Sequence, residues 1–399
     1  MTKFSSRPPT TGLVEAAETL SETIAAGAAE RDRERLLAYD ELNAIGASGI
    51  LSARVPAEYG GPELSWSDVG RIFMALSKGD PNVCQALQPH MCVVEKFRLY
   101  GDEEQRKSFF GQVLEGKMIA NAVAERGGKV VGQTATTLVK DGYAWRMSGR
   151  KFYSTGSIFS DLLWVTGVTE DGNRAIAIIP TDREGVEVLD DWDGIGQRTT
   201  ASGTTILDNV LVHEHELLKP PAAGSQRSPE GALAQLLHAA IDVGIGFAAL
   251  RDGGEYCRTI ARPVPDAGVD KASHDLYAIQ TFGQMAVMLR GAEALVERAG
   301  RKLDEALVEL YAGRDYDRPL AEASIAVSEA KAAGVDSSLA VSEKIFSLGG
   351  ASACSRSLNL DRHWRNARTH TTHDPIAYKL KAIGNYYLNG ELPPISLKI

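Results

Sequence analysis

The spacing of apolar residues along this chain changes period twice, and few architectures accommodate that order. Up to about residue 118 the spacing is helical. Residues 14–30 are rich in Ala, Leu and Glu with few breakers, and 41–51 continue in that style. Residues 66–76 set Val69, Ile72, Phe73 and Leu76 on one helical face. Segments 82–97 and 103–114 complete a helical first third, with Gly116 as a stop. Short β-branched and aromatic runs follow at 134–139, 144–148, 162–168, 175–179, 186–188 and 204–212. Turn signals such as Lys140-Asp141-Gly142 and Glu170-Asp171-Gly172-Asn173 separate them, as in a compact, mainly antiparallel β unit. A Pro/Gly/Ser-rich stretch over 219–231 reads as a linker. Long helical patterns then return over 232–262, 274–312, 320–348 and 376–388, enough for a bundle. The expected fold class is α+β in three parts: a helical domain (1–118), a central antiparallel β domain (119–220) and a C-terminal helical bundle (221–399).

Bulk properties narrow the function. Of 399 residues, 44% are hydrophobic and 24% charged, as in a soluble globular protein; only the first dozen residues (Ser5, Ser6, Pro8, Pro9, Thr10, Thr11) read as disordered. A net charge of -9 argues against a nucleic-acid or anionic-membrane partner, because both recruit basic patches. The N-terminus lacks the basic flank and apolar stretch of a signal peptide, and no apolar run reaches the length of a membrane span. Cys84, Cys92, Cys257 and Cys354 form no C-x-x-C pair, so a reduced, cytoplasmic protein is expected.

Three segments carry candidate chemistry. Arg150-Lys151-Phe152-Tyr153-Ser154-Thr155-Gly156 ends a strand in small hydroxyl residues, which suits a planar ring rich in heteroatoms; taken alone it reads more readily as a routine hairpin. The stretch 191–204, with Gly194, Gly196, Arg198, Thr199, Thr200 and Ser202, is dense in donors for carbonyl or phosphate oxygens, or else a solvated connection. The third runs through Arg368-Thr369-His370-Thr371-Thr372-His373-Asp374-Pro375. A persisting helix would set His370 and His373 one turn apart on one face, and Pro375 ends it near Asp374. The pair could bind metal, be satisfied structurally, or act as general acid and base. Cysteine ligands are absent, so no metal site is assigned.

In this order and at these separations, the three segments resemble the flavin-dependent monooxygenases of the acyl-CoA dehydrogenase superfamily. The likeness extends to dibenzothiophene, sulfur-acquisition, methanesulfinate and indole-type oxygenases and covers nearly the whole chain. The resemblance implies an acyl-CoA dehydrogenase-like fold with a C-terminal four-helix bundle. It also implies a homotetramer with flavin between the β domain and the bundle. By position, Asn121, Tyr153, Thr155 and Ser202 should lie near the flavin. Arg262 should hold its phosphate, and the 342–350 segment, with Gly349 and Gly350, should reach a neighbouring subunit's cofactor. His373 matches the expected active-site histidine, with His370 near it. Relatives often carry Ser at the place of Thr155, and the thiophene oxygenase carries Tyr in the region of Pro89, which leaves His90 as a candidate replacement polar group.

The same resemblance separates oxygenation from dehydrogenation. A dehydrogenase of this fold needs a carboxylate base, often Glu followed by Gly-Thr, where this chain reads His373-Asp374-Pro375; a base displaced by about an ångström loses about a hundredfold in rate. Oxygenation by way of a C4a-(hydro)peroxyflavin asks instead for water exclusion, hydrogen bonding and a proton donor, roles that suit Thr155, Asn121 and His373. No G-x-G-x-x-G opens a helix after a strand; Gly127-Gly128 lacks the third glycine. Reduced FMN, or alternatively FAD, is therefore expected from a separate NAD(P)H:flavin reductase, with dioxygen as co-substrate. The expected substrate is a small aromatic heterocycle or organosulfur compound. The competing readings are an acyl-CoA dehydrogenase with Asp374 as base and a non-catalytic helical binding protein.

Overall fold

A computed structural model describes residues 12–127, 132–221, 226–396 and 398–399. The N-terminal Ser/Pro/Thr tract, Gly128 and the middle of the 219–231 linker lie outside the described residues.

Five helices come first: α1 (Leu13–Glu34), α2 (Tyr39–Ser48), α3 (Trp66–Gly79), α4 (Pro81–Tyr100) and α5 (Glu103–Leu114). Local chemistry sets their starts. Ser65 caps α3 by accepting from the Asp68 N–H, and Asp80 caps α4 ahead of Pro81 at the first helical position. Asp102 and Gln105 form a reciprocal capping box on α5. Inside α4, Pro89 has no N–H to give the Gln85 carbonyl, so the helix lacks one rung there.

The strands are β1 (Ile119–Ala122), β2 (Thr137–Asp141), β3 (Ala144–Lys151), β4 (Leu162–Thr169), β5 (Arg174–Pro180), β6 (Val186–Val188), β7 (Thr205–His213) and β8 (Leu217–Leu218). They form one sheet in the order β6-β7-β3-β2-β4-β5-β8. Most neighbours are antiparallel, but β1 and β2 both run parallel to β4, β1 along 162–165 and β2 at 168–169. The sheet is therefore mixed rather than purely antiparallel. β1 has four residues, too few for alternation to reveal it, and its place is set by pairing with β4.

The remaining helices are α6 (Glu230–Thr259), α7 (Leu276–Tyr311), α8 (Asp317–Lys344), α9 (Asp361–Thr371) and α10 (Ile376–Asn389). Phe73, Leu76, Leu87, Leu236, Leu237, Ile241, Val296 and Val327 belong to one buried cluster, so the N-terminal helices and the bundle share a core. Contrary to the sequence expectation, α6 is long and apolar enough to cross a membrane, with a mean hydropathy of 1.6 over its best window. That window is 83% buried inside the protein, which marks α6 as the bundle's central helix.

Candidate active site

Where the β domain meets the helices, the turn after β3 and the loop before β7 are sewn together. The Ser154 N–H donates to the Gly203 carbonyl (3.1 Å) and the Gly156 N–H to the Thr200 carbonyl (3.0 Å). Thr155 and Ser202 hydroxyls meet at 2.8 Å, and Ser202 also meets Thr200 at 2.7 Å. Three of the seven non-glycine residues with positive φ among the described residues lie in these two segments: Tyr153 (55°), Gln197 (53°) and Ala201 (49°). Such left-handed conformations persist only where surrounding contacts impose them, and they gather at functional sites. Gly156, at φ 79°, lies so close to α4 that a Cβ would come within 2.5 Å of the Ala86 carbonyl oxygen.

The loop is clamped onto the helices as well. Asn366 Oδ1 on α9 accepts from the Gln197 N–H (2.6 Å), and Asn82 Oδ1 on α4 accepts from the Thr199 N–H (3.2 Å). Four buried polar atoms of these two segments lack a protein partner, Ser154 Oγ, Thr199 Oγ1 and both amide atoms of Gln197, and on β1 Asn121 Oδ1 lacks one too. Unpartnered buried polar groups are costly, and a cluster of them suits a ligand that brings its own donors and acceptors. The isoalloxazine edge of a flavin, with alternating carbonyls and ring nitrogens, fits such a set. Tyr153 and Trp192 stand edge-on beside it, ring centroids 6.0 Å apart.

Helices α4 and α9, which clamp the loop, also border a charged cluster. His370, on α9, is buried; its Nδ1 lies 2.5 Å from Asp242 Oδ1, and its Nε2 lies 3.1 Å from His238 Nδ1 and 3.0 Å from Gln85 Oε1. The other oxygen of Asp242 accepts from buried Lys331. Burial pushes both His238 and His370 towards the neutral form; neighbouring positive charge adds to this for His238, whereas Asp242 opposes it for His370. The expected pairing of His370 with His373 on one helical face does not form. Helix α9 ends at Thr371, ahead of Pro375, and the His373 side chain is 52% exposed. The ring beside His373 is His238, at 4.4 Å.

Asp374 accepts from Gln235 (2.5 Å) and His373 Nδ1 (3.2 Å) and pairs with Lys398 (2.7 Å). Burial alone would raise its pKa, but these donors outweigh burial and hold it far below the usual carboxylate range. A carboxylate so well stabilised is a poor base, which counts against the dehydrogenase reading. His90 is corrected outright. Its Nε2–H donates to the Leu51 carbonyl (2.8 Å) and its Nδ1 accepts from the Ile119 N–H (3.1 Å), so both nitrogens are spent on backbone. Burial lowers its pKa to about 4, and it is a neutral peg between α4 and β1.

Arg262, Gly349 and Gly350 are not brought to this junction within the chain. His238 and the C-terminus of α6 at Thr259 are separated by about 31 Å of helical rise, and the exposed Arg262 lies beyond that end. Gly349 sits there too, so close to Tyr256 that a Cβ would lie 2.0 Å from its ring. Sequence reasoning missed His238, Asp242, Gln85 and Lys331. The available signal was His238 and Asp242 four residues apart within the apolar stretch Leu236-Leu237-His238-Ala239-Ala240-Ile241-Asp242.

Comparison with known proteins identifies the class. Residues 13–117 match the acyl-CoA dehydrogenase N-terminal domain and residues 236–377 the C-terminal domain. The chain belongs to the acyl-CoA dehydrogenase family, and within it to the reduced-flavin-dependent monooxygenases, with FMN as cofactor. It is 34% identical to a dibenzothiophene monooxygenase of Mycolicibacterium goodii, covering 95% of this chain and 94% of that one. It is 31% identical to a probable FMNH2-dependent monooxygenase, SfnC, of Pseudomonas putida, covering 97% of each. Among solved structures, FMN-bound TdsC from Paenibacillus sp. A11-2 superposes with a TM-score of 0.90 at 30% identity, covering 97% of this chain and 100% of that one. Methanesulfinate monooxygenase MsuC from Pseudomonas fluorescens gives 0.89 at 31% identity, covering 97% and 99%.

Proposed function

We propose that this monooxygenase receives reduced FMN from a separate NAD(P)H:flavin reductase and oxygenates a small planar heterocycle, indole- or thiophene-like. The observation that carries the reading is the set of unpartnered buried polar atoms beside Tyr153 and Trp192, on a loop clamped to the same two helices, α4 and α9, that hold the buried histidine cluster. When bound, reduced FMN supplies the electrons that activate dioxygen. Asn121, Thr155 and Ser202 would hold the flavin ring, with the Thr155–Ser202–Thr200 hydroxyl chain orienting one another's protons. His373, half exposed and backed by Asp374, would deliver or accept a proton at the substrate. His370, fully engaged with Asp242, would orient its neighbours instead of touching substrate. An organosulfur substrate is the second reading, favoured by the likeness to the methanesulfinate enzyme.

Arg262, Gly349 and Gly350 would then serve the cofactor of a neighbouring copy in a homotetramer. Support comes from uncovered apolar side chains on α7 and α10, including Tyr277 (79% exposed), Val287 (74%) and Leu388 (84%), more than an isolated chain carries without cost.

The test is anaerobic mixing of protein with photoreduced FMN, then oxygenated buffer, alone and with indole, dibenzothiophene or methanesulfinate. A protein-dependent lag before oxidised FMN absorbance returns, and an oxygenated product from one compound, are expected. Reoxidation at the rate of free flavin would overturn the reading.

A further inference from the structure

The Lys331–Asp242 pair lies behind the histidines, on α8 and α6, and Asp242, Lys331 and His370 are all enclosed. The carboxylate and ammonium cancel, so a third charge on His370 would be uncompensated in a buried site, and burial of an unpaired charge is costly. His370 is then neutral and carries one ring proton. A carboxylate can only accept, so the 2.5 Å contact to Asp242 Oδ1 requires that proton on Nδ1. Nε2 of His370 is left as a lone pair. His238 Nδ1, 3.1 Å away, must supply the hydrogen, and His238 is neutral in turn with its proton on Nδ1. The Gln85 amide shares the same Nε2 and must present its NH2 end, the two ends of a side-chain amide having the same shape. The outcome is a bare Nε2 on His238, which has no hydrogen-bond partner among the described residues, in a ring that packs 4.4 Å from His373.

We propose that Lys331 and Asp242 are positioning residues that, through His370, fix His238 as the Nδ1–H tautomer and so present an unprotonated Nε2 beside His373. The pair would thus set the proton state of the histidine cluster beside His373. Lys331 keeps Asp242 charged, Asp242 orients His370, and His370 dictates His238. This deepens the oxygenase reading by naming what governs its proton handling, and it rests on that reading for its functional meaning.

The experiment is 15N solid-state NMR of the FMN-loaded protein with ring-labelled histidine. Assignment uses His238→Gln and His370→Gln. Neutral Nδ1–H signals are expected for both rings in the unsubstituted protein. An Nε2–H tautomer or an imidazolium at either position would overturn the proposal. The double variant Asp242→Asn/Lys331→Met removes both charges together, which keeps the site neutral and the fold intact. There, His238 should lose its Nδ1–H signature, and the lag before FMN reoxidation should shorten about tenfold, somewhat below the usual proton-transfer contribution. Retention of the tautomer, or its loss with an unaltered lag, would overturn the positioning role. The tautomer arm requires no turnover. An absent lag in the unsubstituted protein therefore sinks the oxygenase reading separately from this one.

Discussion

On the sheet side of the site, Ser202 meets both Thr155 and Thr200 while Asn121, Ser154 and Thr199 each keep a buried polar atom without a protein partner. On the bundle side, Asp242, Asp374 and Lys331 lie within reach of opposite charge or strong donors. The first wall stores unmet hydrogen bonds and left-handed backbone, and its complement must arrive from outside the chain. On the second wall the buried charges are matched within the chain. A flavin enzyme needs both: a surface that gains on binding, and a scaffold whose protons stay in place while it binds.

That contrast can be broken at either wall. The largest effect is expected at the second. Asp242→Ala leaves buried Lys331 uncompensated and should destabilise the fold by about 3–5 kcal/mol, readable in calorimetry as a large fall in Tm. Unaltered stability would mean that the pair is open to water. Next comes His90→Phe, which strands the Leu51 carbonyl and the Ile119 N–H and should cost about 2–4 kcal/mol.

The same substitution has a pH signature. His90 titrates at about 4 in the folded chain, below the unfolded value of about 6.5. Between those values the unfolded state binds the extra proton, so stability is complete above about 6.5 and drains away as pH falls towards 4. His363, also lowered to about 4 by burial, behaves alike. Urea titrations of His90→Phe should therefore show a slope against pH that is shallower by up to one proton in this window. An unchanged slope would put the acid sensitivity elsewhere.

At the open wall, Thr155→Val removes a hydroxyl while preserving shape. Apo stability should stay within about 1 kcal/mol. Affinity for reduced FMN should fall about tenfold, equivalent to about 1.4 kcal/mol. If instead stability drops and affinity holds, the hydroxyl chain is a fold element. The smallest change is expected for Lys398→Met. Lys398 is half exposed, so its pairing with Asp374 is screened, and about 0.5 kcal/mol or less should be lost in thermal denaturation.

Much of this was legible from residues alone. The switch from helical to alternating spacing near residue 118, and back after the linker, predicts the three-part order, and the Glu103–Leu114 helix has the limits its pattern implies. Strand segment 186–188 is likewise found where expected. Thr155 and Ser202 announce themselves through hydroxyl-rich turns, and the structure brings them to 2.8 Å. His90 shows the opposite case. A histidine in an apolar helix reads the same whether it faces a substrate or two backbone groups, and only the arrival of Leu51 and Ile119 decides.

What the sequence determines by itself is therefore local: periodicity, caps, turn chemistry and the residue types available for a flavin site. These are set by neighbours within a few positions, whose geometry the backbone dictates. The tertiary structure alone decided which polar residues share one buried space. Asp242 meets His370 across 128 positions and Lys331 across 89, and no local rule relates them. Their pairing follows from α6, α8 and α9 packing around one apolar core, because burial leaves an isolated charge no tolerable state except beside its complement.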